Sequence, residues 1–173
     1  MHYGVFYSSK APISLLGYTD YDWVGDNFDR KSTARYIFQL GSSLISWSRK
    51  KIRTISLSSC EVENKVVKEA AKEVVWIQHV LTELGLVQKY STTLRCDNHS
   101  VIRLANNPVY HSNTKKIDLS THYIRYLVAY GVISLEYCHV EKQATNIFIK
   151  SMTKGKFVRL CNLLGMREVV LKG

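Results

Sequence analysis

The hydrophobic period of this 173-residue chain changes once, and that change restricts the folds it can adopt. Residues 13–23, 32–40 and 44–48 have the apolar and β-branched content of strands, and short turn-forming stretches separate them. Over residues 62–84 apolar side chains instead recur every three or four positions, which predicts a long helix that Gly85 ends. Three strands joined by short turns predict an antiparallel meander, and a helix follows it.

Strands and helices alternate in the second half of the chain. Residues 92–96 and 132–140 read as strands, and residues 98–106 and 120–130 as helices. Helical patterns then continue to about Leu164. Strands first, followed by strands that alternate with helices, predict an α/β domain with a mixed sheet.

Charge narrows the class of partner. The chain has 24 Lys and Arg against 14 Asp and Glu, a net charge of +10. This excess favours a nucleic-acid partner bound through its phosphates, and the alternative is a basic solvated surface without a partner. The four cysteines are too far apart for a zinc motif, and the first residues lack a signal-peptide pattern. We therefore expect a monomer inside the cell, cytoplasmic or nuclear, that is not secreted and does not bind a membrane.

Three acidic stretches lie at the predicted ends of strands and helices. They offer Asp20, either Glu61 or Glu63, and Asp97. Converging carboxylates form a site for hard divalent cations, and in a basic chain that site indicates phosphodiester chemistry. Each carboxylate also has a structural alternative. Asp20 could bind turn amides, Glu61 could complement a helix dipole, and Asp97 could cap a helix.

These motifs, in this order, resemble the ribonuclease H domain of copia-type retrotransposon polyproteins over roughly residues 3–166. No single motif is specific, but their order and spacing together are. The matching stretches are GYTDYDW at 17–23, RKST at 30–33, ISWS at 45–48, LSS at 57–59, EAAKE at 69–73, CDN at 96–98, NPVYHS at 107–112, TK at 114–115, HYIR at 122–125 and ISLEY at 133–137.

The resemblance implies a ribonuclease H-like fold, a five-stranded mixed sheet of three antiparallel strands and then parallel strands, flanked by helices. One domain would span residues 1–173 with its core at about 13–166, and residues 1–12 would be a remnant of the connection from a reverse transcriptase domain in the parent polyprotein. Such domains cleave the RNA strand of RNA–DNA hybrids with two Mg²⁺ ions, for which Mn²⁺ substitutes.

The resemblance also assigns site residues. Asp20, Glu63 and Asp97 match the family's catalytic, metal-binding carboxylates, and Glu63 is preferred to Glu61 because it aligns with the catalytic Glu. The fourth catalytic position is degenerate, since Asn146 stands where the family has Asp. An amide keeps an oxygen but loses the negative charge, which predicts impaired catalysis. The predicted substrate-binding residues are Ser32, Thr33, Asn98 and Lys115.

Further departures from the family pattern favour an alternative function. Arg35 replaces a family Gly in the second strand, and Lys65 and Lys68 bring charge to the first turns of the long helix. The alternative is a catalytically inactive relic that still binds nucleic acid, or one that folds poorly. An integrase-like core of the same superfamily fits the motif order less well. A minor role in proton transfer or product release is considered for His139, and the tryptophans are expected in the core: Trp23, Trp47 and Trp76.

Overall fold

A computed structural model describes residues 2–22, 33–51, 59–107, 115–148 and 152–169. Within these ranges the strands are β1 (Tyr3–Val5), β2 (Leu15–Asp22), β3 (Thr33–Leu40), β4 (Ser43–Lys51), β5 (Thr92–Cys96), β6 (Ile133–Tyr137) and β7 (Met166–Glu168). The α-helices are α1 (Ser59–Glu83), α2 (His99–Asn106), α3 (Lys115–Ala129) and α4 (Lys154–Leu163). Two 3-10 helices, Val140–Lys142 and Ala144–Phe148, precede α4.

The main sheet has five strands in the order β4-β3-β2-β5-β6. β2 pairs antiparallel with β3 and parallel with β5, and β5 pairs parallel with β6. This confirms the predicted five-stranded mixed sheet of a ribonuclease H-like fold. Because β2 and β5 run in the same direction at the centre, the residues that end them meet at one edge of the sheet.

Apolar clusters cover both faces of this sheet. On one face, α1 buries Val67, Ala70, Ala71 and Val74 in a cluster with β-strand residues such as Phe38. Small residues at the middle of α1 allow the helix to approach the strands closely. On the other face, a smaller cluster joins Tyr18 and Ile37 to residues of the C-terminal segments, and it is completed by Cys138, Ala144 and Leu164.

Gly17 on β2 is required by close packing between strand and core. A Cβ built on this glycine would lie 2.6 Å from Cε1 of Phe38, closer than carbon atoms can approach. The side chain of Leu94, on the neighbouring strand β5, closes the remaining space. The glycine therefore lets the central strand pack directly beneath these two side chains.

Several element boundaries differ from the sequence prediction. α3 begins at Lys115, five residues before the predicted start, and β6 ends at Tyr137 rather than at residue 140. β1 and β7 form an antiparallel two-stranded sheet that the sequence did not predict, because a strand of three residues is too short to show an alternating hydrophobic pattern. Their pairing joins residues near the two ends of the described chain.

Two of the three tryptophans were wrongly expected in the core. Trp47 on β4 and Trp76 on α1 each have 59% of their surface exposed. β4 is one of the two edge strands of the main sheet, and Trp76 lies on a different helical face from the buried Val74 and Ile77. Trp23 lies outside the described residues.

The predicted conflict between basic residues and the packing of α1 does not arise. Lys65 and Lys68 are only partly buried, and the Lys65 ammonium lies 2.9 Å from a Glu61 carboxylate oxygen. One turn of helix separates these partners, which is the spacing that favours such pairs. Across the part of the chain that is described, no helix is long and apolar enough to cross a membrane.

Candidate active site

The topology brings the three predicted carboxylates to the same edge of the main sheet. Asp20 lies near the carboxyl end of β2, Asp97 directly follows β5, and Glu63 lies in the second turn of α1. Asp20 and Glu63 are buried, with 8% and 1% of their surface exposed, whereas Asp97 is partly exposed. Two of the three acidic side chains are therefore largely removed from bulk water. A buried charge is costly unless it is compensated.

Glu63 carries the most perturbed carboxyl group of the cluster. Burial, the largest cause, and the neighbouring carboxylates of Asp97 and Asp20 raise its pKa to about 8. A hydrogen bond from Asn98 Nδ2 to Oε2, 2.5 Å long, acts in the opposite direction. The other oxygen, Oε1, is buried and accepts no hydrogen bond in the described structure. Glu63 thus has one fixed oxygen and one unsatisfied oxygen among neighbouring carboxylates.

Asn98 connects the β5 end of the site to α1. Its Oδ1 accepts a hydrogen bond of 2.7 Å from the backbone N–H of Ser100 and so caps α2, while its Nδ2 donates to Glu63. The sequence predicted a substrate-binding role for this residue. In this structure both polar groups of its side chain make contacts within the protein, and the contact with Glu63 links the end of β5 to α1. The substrate-binding role of Asn98 stays a prediction.

Arg35 contributes a positive charge to the cluster. It faces Asp20 directly in the antiparallel register of β2 and β3, and its Nη1 lies 3.3 Å from Oδ2 of Asp20. Only 2% of the arginine surface is exposed. Sequence reasoning noted Arg35 as a departure in strand packing and missed its contact with Asp20. A basic residue on the strand next to Asp20 was the available signal for this contact. The sequence of residues 23–32, which connect the two strands, did not determine the register in which β2 and β3 pair.

The degenerate fourth position lies on the second 3-10 helix, which packs against β2. Asn146 is buried, and its Nδ2 donates to the Val140 carbonyl over 2.6 Å. Gln143, at the start of this segment, donates from Nε2 to the Thr19 carbonyl over 2.9 Å, one residue before Asp20. The amide nitrogen of Asn146 is thus used within the protein, and Oδ1 is the side-chain atom that could serve as a ligand.

The structure describes the remaining candidate residues to different extents. Thr33 is partly buried at the start of β3, opposite Asp22. Ser32 is outside the described residues, and of Lys115 only the backbone position at the start of α3 is described. Glu61 pairs with Lys65, and this contact favours Glu63 as the carboxylate of α1 that belongs to the cluster.

Two aromatic rings that the sequence analysis did not single out border this edge. His99, at the start of α2, stacks on Tyr137, at the end of β6, with ring centroids 4.0 Å apart and planes 12° from parallel. His139 is exposed, and its Nδ1 accepts a hydrogen bond of 3.4 Å from the Glu141 N–H at the start of the first 3-10 helix.

The donor set of the cluster fits a hard divalent cation in its chemistry. Carboxylate oxygens are preferred ligands of Mg²⁺, and Glu63 offers a buried oxygen that has no hydrogen-bond partner in the described structure. As they stand, however, the residues that the structure describes include no group of three or more His, Cys, Asp or Glu side chains placed to hold a metal ion. Asp20 is already paired with a positive charge, the guanidinium of Arg35.

Known proteins resemble this chain over almost its whole length. It is 35% identical to the retrovirus-related Pol polyprotein from transposon RE2 of Arabidopsis thaliana over 167 residues, 96% of this chain and 12% of that protein. It is 36% identical to the corresponding polyprotein from transposon TNT 1-94 of Nicotiana tabacum over 162 residues, 94% of this chain and 12% of that protein. The chain is a homologue of copia-type Pol polyproteins. It spans about 12% of the length of these relatives.

Comparison with solved structures shows which fold this chain shares. LC11-RNase H1 in complex with an RNA/DNA hybrid matches with a TM-score of 0.55 and 12% identity, over 76% of this chain and 89% of that one. The prototype foamy virus protease-reverse transcriptase matches with a TM-score of 0.52 and 13% identity, over 93% of this chain and 21% of that one. At this identity the matches show the ribonuclease H-like fold alone. No protein-family model matches the chain.

Proposed function

We propose that this copia-type segment is a ribonuclease H-type endonuclease domain that cleaves the RNA strand of RNA–DNA hybrids. The observation that carries the proposal is the buried Glu63, held by Asn98 beside Asp97 and Asp20 at one edge of a ribonuclease H-like sheet. Buried, mutually repelling carboxylates are costly for stability, and such costs concentrate at functional sites. The hybrid bound to LC11-RNase H1 supports the choice of substrate.

The cofactor in this proposal is Mg²⁺, two ions, with Mn²⁺ as a substitute. Asp20, Glu63 and Asp97 would hold the ions, with Asn146 as the degenerate fourth position. When bound, the ions supply an activated hydroxide and neutralise charge on the leaving 3′ oxygen. Among the chain's own residues, Asn98 fixes the orientation of Glu63, and the 3-10 segment that Gln143 anchors holds Asn146 near β2. The neutral amide of Asn146 lowers the negative charge of the site, and we expect it to reduce the rate.

Substrate contacts follow from charge and position. The net charge of +10 favours binding of phosphates, which fixes the register of a nucleic acid without reading its sequence. We assign contacts with the hybrid backbone to Ser32, Thr33 and Lys115. A reverse transcriptase domain in the parent polyprotein would place the substrate, a proposal that the fusion of such domains in the foamy virus protein supports.

A cleavage assay tests the proposal. The purified chain, Asp20→Asn and Asn146→Asp are incubated with an end-labelled RNA–DNA hybrid in Mg²⁺ or Mn²⁺. We expect slow cleavage by the parent, none by Asp20→Asn, and faster cleavage by Asn146→Asp. A parent activity that Asp20→Asn retains would come from another site or a contaminant, and silence from all three proteins would contradict the proposal.

The second candidate function is binding of nucleic acid without cleavage. Two observations favour it: the arginine beside Asp20 and the amide at position 146 both reduce the negative charge available to a cation. A gel-shift assay on the same hybrid decides between the candidates. Retention of the hybrid by all three proteins, with the RNA strand intact in each, would support the binding function and exclude the nuclease.

A further inference from the structure

We propose that Arg35 is an internal cation of the site, which engages Asp20 and competes with a divalent cation for its carboxylate. The inference rests on the proposed function, because that function supplies the need for a cation. It concerns the affinity of the site for the ion, which can be measured without any cleavage. Arg35 is then a residue that sets cation affinity and not a catalytic residue.

The pairing is fixed by the backbone. Asp20 and Arg35 are partners in the register of β2 and β3, so both side chains project from the same face of the sheet. This register brings Nη1 of Arg35 to 3.3 Å from Oδ2 of Asp20, so the contact does not depend on long, exposed side chains. Both side chains are also buried, with 3% of the arginine side-chain surface and 10% of the aspartate side-chain surface exposed, so dissolved salt screens the pair much less than it screens a surface pair.

A guanidinium and a divalent cation are rivals for the same oxygens. A guanidinium carries a positive charge, and that of Arg35 lies 3.3 Å from an Asp20 carboxylate oxygen that would also attract a metal ion. Three carboxylates, Asp20, Glu63 and Asp97, share one edge of the sheet with this guanidinium. Arg35 thus offsets part of the charge that would otherwise draw an ion into the site.

The competition should weaken cation binding without abolishing it. Arg35 contacts Asp20, whereas Glu63 keeps an oxygen that has no partner in the described structure and stands beside Asp97. The ion pair of Arg35 with Asp20 does not involve those two carboxylates, and they can still attract an ion. Recruiting Asp20 then requires the buried pair to separate, and an arginine left in the interior without its carboxylate is unfavourable.

Mn²⁺ binding to the full chain tests the inference, followed by electron paramagnetic resonance or calorimetry in the absence of nucleic acid. Arg35→Met removes the charge at similar volume, and Arg35→Lys retains it. Arg49→Gln is the matched control, because Arg49 is the exposed cross-strand neighbour of Arg35 on β4. A unit charge in contact with a carboxylate shifts its proton affinity by about one to three powers of ten. We expect Arg35→Met to bind Mn²⁺ at least about tenfold more tightly than the parent, and the other two variants to match the parent.

Equal Mn²⁺ affinity in the parent and Arg35→Met, or no binding by either, would overturn the inference. A second comparison does not depend on how Arg35→Met folds. If Arg35 already engages Asp20, then Asp20→Asn in the parent should weaken Mn²⁺ binding by less than about tenfold, whereas a loss of about tenfold or more would also overturn the inference.

The inference and the proposed function fail in different ways. Tighter Mn²⁺ binding by Arg35→Met with no cleavage of the hybrid by any variant would contradict the nuclease function and leave the role of Arg35 in place. Cleavage by the parent with equal Mn²⁺ affinity in the parent and Arg35→Met would do the reverse.

Discussion

At the scale of single residues, the site combines groups that oppose stability. Glu63 is buried beside Asp97 and Asp20, and the structure compensates it with one hydrogen bond from Asn98. Arg35 compensates Asp20. Selection for stability alone would replace such a cluster with apolar residues, which often match or exceed the stability of buried ion pairs. Its presence is therefore best explained by a function that needs concentrated negative charge.

Glu63 should make stability depend on pH when no divalent cation is present. The ordinary pKa of a glutamate carboxyl is 4.5, and in the folded protein the pKa of Glu63 is about 8, so the folded state binds the proton more tightly than the unfolded state. The stabilising contribution is complete below pH 4.5 and is lost as the pH rises towards 8. In EDTA, we expect the unfolding free energy of Glu63→Gln minus that of the parent to increase between these pH values.

Chemical denaturation of both proteins at several pH values measures this difference. Taking the difference removes the contributions of other titrating groups, which the two proteins share. A difference that stays constant from pH 4.5 to pH 8 would show that Glu63 titrates normally in the folded protein.

Two substitutions distinguish the two contacts of Asn98, the cap of α2 and the hydrogen bond to Glu63. Asn98→Ser keeps an oxygen that can cap α2 but is too short to reach Glu63, whereas Asn98→Ala loses both contacts. We expect Asn98→Ala to lose about 1 kcal/mol more stability than Asn98→Ser, because an absent N-cap costs about that amount. Both variants should cleave the hybrid more slowly by a similar factor. Full cleavage by Asn98→Ser would show that the contact with Glu63 does not position it.

The carboxylates of the site could be predicted from sequence, and the contact of Arg35 could not. Asp20 and Asp97 follow apolar strand patterns, so each could be placed at an element end, whereas the choice of Glu63 over Glu61 came from the family resemblance. The Arg35 contact depends on strand register. A register is fixed by turn geometry or by a distinct pattern, and residues 23–32 supplied neither.

At the scale of elements, β2 and α1 determine how the site is assembled. Helix α1 could be predicted from its hydrophobic period, because its buried residues repeat over many turns, from Val62 to Leu81. The early start of α3 was not, since its first turn reads Lys-Lys-Ile-Asp and has no apolar repeat. β1 and β7 were missed because a three-residue strand is defined by its partner rather than by its own sequence.

Gly17 should be intolerant of any side chain. The Cβ of Gly17→Ala would meet the Phe38 ring at 2.6 Å, and overpacking of a core typically costs about 1–3 kcal/mol. Urea denaturation should show this loss. Gly155→Ala is the control, because a Cβ at Gly155 of α4 meets no atom within 4 Å and alanine favours helix. Equal stability of the two variants would mean that β2 can shift away from Phe38.

At the scale of the whole molecule, a basic chain surrounds an acidic site. The surplus of ten positive charges attracts a polyanion generally, whereas the carboxylate cluster repels phosphate until its charge is offset. Binding of nucleic acid and loading of the site with cations are therefore separate requirements. The sequence alone predicted the first through its composition and the second through its three acidic stretches.

Affinity for an RNA–DNA hybrid should fall steeply with salt. Each phosphate neutralised by Lys or Arg releases counterions, which makes the logarithm of the binding constant linear in the logarithm of salt concentration. We expect a clear negative slope in fluorescence anisotropy between about 50 and 200 mM KCl. The same slope should hold for Asp20→Asn, since that residue lies in the acidic cluster. An affinity independent of salt would exclude the proposed phosphate contacts.

The central position of β2 affects how local opening reaches the site. β2 is hydrogen-bonded to β3 on one side and β5 on the other, and it contributes to the apolar clusters on both faces. Amide hydrogens of such a strand exchange with solvent only when the domain unfolds as a whole, whereas those of β4 and β6 exchange through smaller fluctuations. The central part of β2, which leads to Asp20, therefore remains in place while the outer parts of the sheet open and close.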